Sequence, residues 1–168
     1  MEQQRKQLVQ SQKIVLREII AAARTVLRPE KTRGHKPVGV KVLFTGANAE
    51  VKALAINTLA KDLGVDHYRV NLTRLISKYI GETEKNLRRA FKTAESKPVI
   101  LLLDEADALF GKRTRVKDSH DRYANIEINY LLEQIERFHG IAILAMNLRH
   151  NIDPTILCRF QFVMNFQQ

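Results

Sequence analysis

The sequence is poor in cysteine and has no long apolar run, the features that mark many secreted and membrane proteins. It contains a single cysteine, Cys158, which excludes an intramolecular disulfide and a cysteine-based zinc site. No apolar run approaches the ~18 residues that span a bilayer, and the polar start MEQQRKQLVQSQK is unlike a secretory signal. Internal repeats and low-complexity segments are also absent. Together these absences predict a cytoplasmic protein with no membrane span.

Acidic residues are scarce relative to basic ones, with 18 Asp and Glu against 28 Lys and Arg and a formal net charge of +10. Residues 1–40 hold nine of the basic residues and three of the acidic ones. A basic arm of this kind can bind nucleic acid, anionic lipid or an acidic protein face. Because it has no aromatic side chain to stack on bases, we favour a solvated helix face followed by a basic linker.

The pattern of apolar residues divides the chain into a helix, a linker and one larger domain. In residues 1–28, apolar residues at helical spacing predict an amphipathic basic helix. The proline, glycine and charge of residues 29–38 predict a linker. In residues 39–168, amphipathic helices alternate with strands that are apolar throughout, as parallel sheets covered on both faces require. We therefore predict an α/β fold, a three-layer αβα domain with a mainly parallel five-stranded sheet.

The segment GANAEVKA, residues 46–53, lies between a predicted strand and a predicted helix. This is the setting of the phosphate-binding pattern G-x-x-x-x-G-K-[ST]. Gly46 and Lys52 match the pattern, but Val51 stands at its second glycine and Ala53 at its Ser/Thr position. Alone, the segment fits a nucleotide site, an impaired site or no site.

A second candidate is LLLDEAD, which ends a predicted buried strand with two carboxylates. Ligands bind at the carboxyl ends of strands in parallel sheets. In a site that hydrolyses a phosphate, Asp104 would hold Mg²⁺, and Glu105 would orient and deprotonate the attacking water. The alternative is that Asp104 and Asp107 cap a helix.

Three further features carry weaker signals. Asn147 ends the next apolar strand, where it could position a water or simply form a turn. Arg159 follows DPTILC and is either a finger for a neighbouring subunit's phosphate or a surface arginine. In KYIGETE, an exposed Tyr79–Ile80 pair would grip another chain, whereas a buried pair would belong to the core.

In their order and spacing, the segments VLFTG, SKYIGETEKNLRRAF, ILLLDEADALFGKR and NIDPTILCRF resemble the AAA+ ATPases, specifically the AAA subfamily that includes protein-remodelling members. The resemblance covers about residues 40–168, and its middle part is similar to bacterial members. It implies a P-loop NTPase-like domain that uses ATP and Mg²⁺. It also implies a polypeptide substrate or partner protein and a homo-oligomer, a hexamer in this family. It disfavours nucleic acid as a partner.

The resemblance assigns roles to residues of the candidate nucleotide site. Asp104 and Glu105 look like the Walker B pair, with Asp104 as the Mg²⁺ ligand and Glu105 as the base. Gly46 and Lys52 stand in the phosphate loop, where Lys52 would contact phosphate.

The remaining matches lie further along the chain. Asn147 looks like the sensor-1 residue, and Arg159 looks like the arginine finger that acts in trans. Tyr79, Ile80 and Gly81 match the aromatic–hydrophobic–glycine pore loop that threads a polypeptide through a ring.

The phosphate loop departs from the family pattern G-P-P-G-T-G-K-T, because glycine is missing at positions 49 and 51. A residue with a Cβ costs about 1–2 kcal/mol in left-handed geometry, and we expect the branched Val51 to fill space that a phosphate needs. Ala53 removes the hydroxyl that coordinates Mg²⁺, and Glu50 adds a negative charge. These changes predict that ATP binding and hydrolysis are weak or lost.

The chain also ends at Gln168, before the small helical lid of the family, so we expect that lid to be absent from this sequence. Our first hypothesis is an AAA+ ATPase-type domain of protein-remodelling descent with impaired ATP turnover. The alternative is a non-catalytic interaction scaffold that binds a partner through the basic helix or the Tyr79 loop. A nucleic-acid-associated module, suggested by the net charge and by GKRTRVK, ranks lowest.

Overall fold

The computed structural model describes residues 7–28, 38–110, 119–147 and 152–166, with the backbone alone over 119–125. Its strands are β1 (Val40–Thr45), β2 (Asp66–Asn71), β3 (Val99–Asp104), β4 (Ile141–Ala145) and β5 (Phe162–Asn165). Its helices are α1 (Gln10–Leu27), α2 (Ala49–Leu63), α3 (Leu72–Leu75), α4 (Glu82–Glu95), α5 (Asp107–Phe110), α6 (Ser119–Arg137) and α7 (Pro154–Leu157). The predicted linker, apart from Val38, and the basic segment GKRTRVK lie outside the described residues.

The five strands form one sheet in the order β2-β3-β4-β1-β5, and every pairing is parallel. β1 lies near the middle, where Val42 pairs with Ile143 on one side and with Phe162 on the other. The prediction of a mainly parallel five-stranded sheet is confirmed. Because all strands point the same way, the segments that follow β1, β3 and β4 meet at one edge of the sheet.

Helices cover both faces of the sheet, which confirms the three-layer αβα fold. Successive side chains of a strand point to opposite faces, and β3 shows this clearly. Ile100 and Leu102 belong to the cluster under α1 and α2, whereas Leu101 and Leu103 belong to the cluster under α3 to α7. All four are buried, as expected for a strand covered on both faces.

The N-terminal helix belongs to the core of the domain. It was predicted over residues 1–28, and the structure starts it at Gln10 and ends it at Leu27. Its buried side chains pack in the same cluster as those of α2: Leu16, Ile19, Ile20 and Ala23. Burying each of the larger ones contributes about 1.5–3 kcal/mol. The helix therefore completes one layer of the fold, and its basic residues occupy the outer face. None of the described helices is long and apolar enough to cross a membrane.

Candidate nucleotide site

The segment after β1 makes a tight turn into a capped helix. Asn48 is the N-cap of α2, and its Oδ1 accepts a hydrogen bond from Val51 N at 3.1 Å. The helix begins at Ala49, and among the described residues Glu105 alone has positive φ without being glycine. The left-handed strain considered for positions 49 and 51 therefore does not arise. Residues 46–53 form a helix start whose Val51 N–H is already used by the chain.

Val51 points into the core. Its side chain is 4% exposed and packs in the cluster under α1 and α2. The expectation that this side chain fills the space of a phosphate is therefore wrong. What the loop lacks is the free Val51 N–H, since backbone N–H groups at a helix start are what bind phosphate in nucleotide sites.

Gly46 is required by the close approach of two chain segments. Its φ is +104°, and a Cβ built on it would lie 2.2 Å from the carbonyl oxygen of Phe166. Phe166 N donates to Thr45 O at 2.7 Å, and Asn48 N donates to Phe166 O at 3.4 Å. The end of β5 is thus bound to the turn after β1, and this packing alone explains a glycine at position 46.

Lys52 and Asn147 meet at the edge of the sheet. Lys52 is 6% exposed, and its Nζ donates to Asn147 Oδ1 at 2.6 Å and to Met146 O at 3.4 Å. Burial lowers the pKa of Lys52, and the charges of Asp104 and Asp107 partly oppose this shift. Asn147 N in turn donates to Asp107 Oδ2 at 2.8 Å. The two residues singled out separately by the sequence are therefore directly bonded.

Asp104 forms an ion pair that the sequence analysis did not foresee. Arg69 on β2 places Nε at 2.8 Å and Nη2 at 2.6 Å from Asp104 Oδ2. The other carboxylate oxygen accepts from Glu105 N at 2.8 Å. In the parallel register, Asp104 lies opposite Asn71, so Arg69 reaches it from two residues earlier on the neighbouring strand. The available signal was an arginine two residues before the end of β2, next to a strand that ends in a carboxylate.

Glu105 is held in an uncommon conformation. Its φ is +58°, and its Oε2 accepts a hydrogen bond from Thr73 Oγ1 at 2.8 Å. Left-handed geometry in a residue with a Cβ costs about 1–2 kcal/mol and is concentrated at functional sites. Thr73 lies on α3 and was not among the predicted site residues. Glu105 is thus positioned by a contact from outside the predicted set.

These side chains surround a cleft of about 390 Å³ between α2 and the strands β2 and β3, lined among others by Lys52, Ala53, Arg69, Asp104 and Asn147. We tested whether its donors fit Mg²⁺, which takes oxygen ligands in near-octahedral geometry. Ala53 offers no oxygen, and Asp104 Oδ2 is already bound to a guanidinium. Across the described ranges, no group of three or more His, Cys, Asp or Glu could hold a metal. The residues present do not fit Mg²⁺.

Arg159 lies apart from this cluster. It follows α7, and its Nη1 forms an ion pair with Glu136 Oε1 on α6 at 2.5 Å. Both side chains are exposed to solvent. The structure therefore gives Arg159 a partner within its own chain, and its action on a neighbouring subunit stays a prediction.

The Tyr79 loop joins α3 to α4 and is exposed. Tyr79 is 61% exposed and Ile80 is 82% exposed, which excludes the alternative that the pair belongs to the core. Gly81 is the N-cap of α4 at φ +79°, and a Cβ added there would meet nothing within 4 Å, so the conformation itself favours glycine. Tyr79 N donates to Ser77 Oγ at 3.2 Å. The loop therefore presents two large side chains to solvent from a turn that is held by a hydrogen bond.

A five-stranded parallel sheet with a strand–turn–helix at β1 and carboxylates after β3 defines a P-loop NTPase-like domain. The model of the family "ATPase family associated with various cellular activities (AAA)" matches residues 42–168. The chain therefore belongs to the AAA family, whose members bind nucleotide, typically with Mg²⁺.

One curated relative is a protein of Sinorhizobium fredii named uncharacterized AAA family ATPase y4kL. It is 35% identical to this chain over 156 residues, which cover 91% of this chain and 47% of the relative. The chain thus spans about half the length of that protein.

Proposed function

We propose that this AAA domain handles polypeptides and that its own site binds and hydrolyses ATP weakly or not at all. The observation that carries the proposal is the self-capped start of α2. Asn48 Oδ1 takes the N–H of Val51, a donor that a bound phosphate would need. A nucleotide would have to displace this cap before it could settle in the loop.

The buried lysine supports the same proposal. Lys52 Nζ is bonded to Asn147 Oδ1 at 2.6 Å, so a phosphate would have to replace that partner as well. Displacing one cap and one side-chain hydrogen bond costs about 2 kcal/mol, or roughly 30-fold in Kd relative to an open loop.

The chemistry of hydrolysis is also poorly supported. Phosphoryl transfer is catalysed mainly by positive charge placed where negative charge develops. Ala53 contributes no ligand, and Asp104 is already paired with Arg69. Glu105 remains the candidate base and is held by Thr73. In a homo-oligomer, Arg159 of a neighbouring subunit is the candidate source of further charge.

The Tyr79 loop supports the polypeptide-handling half of the proposal. Large apolar side chains exposed together on a loop mark interaction sites, and Tyr79 and Ile80 are 61% and 82% exposed. A non-catalytic interaction scaffold is the second candidate function, because Tyr79 and Ile80 do not line the nucleotide cleft. A measurement of polypeptide binding with and without ATP distinguishes the nucleotide-dependent function from the scaffold.

A phosphate-release assay tests the catalytic part. We expect the native chain with Mg·ATP to release phosphate no faster than Glu105→Gln or Lys52→Ala. Turnover in the native chain that Glu105→Gln abolishes would show an active site and reject the impaired-site proposal. Polypeptide binding that survives Lys52→Ala and disappears in Tyr79→Ala would favour the scaffold over a nucleotide switch.

A further inference from the structure

A second cleft lies along the free edge of the sheet, next to the candidate nucleotide cleft, with which it shares Arg69. In the described sheet, β2 is an edge strand whose one neighbour is β3. The cleft has a volume of about 480 Å³ and is bounded by four consecutive residues of β2, two residues of α3 and one face of α4. An edge strand carries N–H and C=O groups that no neighbouring strand satisfies. One wall of the cleft is therefore able to pair with another strand.

The cleft is strongly basic. Three of its ten lining residues are arginines, Arg69, Arg74 and Arg89, and none is acidic. Arg69 is engaged by Asp104, whereas Arg74 and Arg89 are exposed and form no ion pair with another described residue. A guanidinium group matches a carboxylate with two parallel hydrogen bonds. The ligand that suits this wall carries carboxylates.

An unsatisfied acceptor lies at the end of the same wall. Asn71 lines the cleft, and its Oδ1 is buried without a hydrogen-bond partner in the part of the chain that the structure describes. Buried side-chain acceptors nearly always have a partner. Because this oxygen is enclosed, the Asn71 side chain would have to rotate towards the cleft before a main-chain N–H of an entering peptide could supply the donor that it lacks.

We propose that this cleft binds an extended acidic segment of a partner protein, which adds to β2 as a further strand and places carboxylates on Arg74 and Arg89. A peptide fits better than a free phosphate, because the strand edge presents both donors and acceptors. It also fits better than nucleic acid, because the ring of Tyr68, the one aromatic residue of the lining, packs partly against the core. Neither Lys52 nor Asp104 lines this cleft, which shares only Arg69 with the lining of the nucleotide cleft, so the proposal does not rest on ATP turnover.

Fluorescence anisotropy with a labelled peptide of about ten residues that alternates Glu and Val tests the proposal. We expect Arg74→Ala/Arg89→Ala to raise the Kd at least tenfold. The matched control is Lys85→Ala/Lys92→Ala, which removes the same charge from exposed positions outside the cleft, Lys85 and Lys92 lying on α4. Equal Kd values for the two double variants would overturn the proposal.

Two further arms separate strand addition from charge alone. The same peptide N-methylated at alternate residues keeps its carboxylates and loses main-chain donors, so we expect it to bind at least tenfold more weakly. Unchanged binding of that peptide would contradict strand addition. A single-stranded oligonucleotide that binds more tightly than the acidic peptide, and depends on Arg74 and Arg89, would also overturn the proposal. The proposal would also be overturned if the chain alone formed an oligomer and the Arg74→Ala/Arg89→Ala variant were a monomer.

Discussion

Arg69 on β2 places two guanidinium nitrogens, at 2.6 and 2.8 Å, against one carboxylate oxygen of Asp104 on β3. The guanidinium of Arg69 thus contacts the carboxylate that the family resemblance identifies as the Mg²⁺ ligand. Asp104 is 22% exposed, whereas Arg69 is 57% exposed, so water screens the pair mainly from the arginine side. Position 53 is an alanine and offers no metal ligand. At this site the carboxylate of Asp104 is therefore held by an arginine and not by a metal ion.

The ion pair predicts that metal binding can be introduced by two changes. Arg69→Ala frees Asp104, and Ala53→Thr supplies a hydroxyl at the start of α2. We expect the double variant to bind Mn²⁺ together with ATP, measured by electron paramagnetic resonance, whereas the native chain does not. Adding Asp104→Asn to the double variant should remove the signal. Equal Mn²⁺·ATP binding by native chain and double variant would show that Arg69 does not block the carboxylate.

Gly46→Ala should be strongly destabilising, because the new Cβ would lie 2.2 Å from Phe166 O at a φ of +104°. We expect a loss of at least ~2 kcal/mol in the free energy of unfolding, measured by urea denaturation. Gly64→Ala is the matched control, since its φ is +67° and nothing lies within 4 Å of an added Cβ. The control should lose only the conformational cost of about 1–2 kcal/mol. Similar losses in both variants would contradict the packing role given to Gly46.

Val51→Gly restores the glycine of the family loop but should harm the fold. It empties a core position and places glycine in a helix, which together cost about 2–4 kcal/mol of unfolding free energy. Ala49→Gly, at the first position of the same helix, should cost about 1 kcal/mol or less. Isothermal titration should detect no tighter ATP binding by either variant. A gain in ATP affinity from Val51→Gly alone would show that the valine side chain is what blocks the nucleotide.

The lowered pKa of Lys52 predicts a pH dependence of stability. Burial lowers this pKa from its ordinary value of 10.5, so the folded chain holds the proton less tightly than the unfolded chain does. Between the lowered pKa and 10.5 the unfolded state binds more protons, and stability contributed by this group rises with pH. Lys52→Met keeps the apolar stem and removes the amine. The unfolding free energy of the native chain relative to this variant should increase from neutral pH towards pH 10.5. A difference that stays flat, or falls, would contradict this assignment.

The exposed loop should matter for binding and little for stability. Tyr79→Ala/Ile80→Ala removes side chains that are 61% and 82% exposed, so the unfolding free energy should change by about 0.5 kcal/mol or less. Binding of a labelled, permanently unfolded polypeptide should fall at least tenfold. Ile14→Ala/Val38→Ala removes two other exposed apolar side chains and serves as the control. If both variants bind equally well, the Tyr79 loop is not the polypeptide site.

The regular elements were predictable because their signals are local. α2 spans Ala49–Leu63, and both of its ends have local causes, since Asn48 caps its start and Gly64 ends it in left-handed geometry. β3 was predictable from its run of aliphatic residues. The start of α1 was less predictable. Leu8 is buried in the core, as a residue of the helix would be, but it precedes the first residue of the helix. That burial depends on tertiary packing.

The site was predictable in part. The topology brings Lys52 and Asn147 together as the order of parallel strands implies. The pairing of Arg69 with Asp104 required the register of β2 against β3, which no short segment encodes. Val51 was interpreted through the phosphate-loop pattern, although its spacing from Ala55 and Leu59, which are also buried, is that of a helix face.

Isothermal titration of Mg·ATP into the native chain tests the central claim most directly, because it measures whether the self-capped loop still accepts a triphosphate. We predict a Kd no tighter than about 1 mM, and the same affinity for ATP when Mg²⁺ is removed with a chelator. Micromolar affinity that requires Mg²⁺ and is lost in Asp104→Asn would contradict the account.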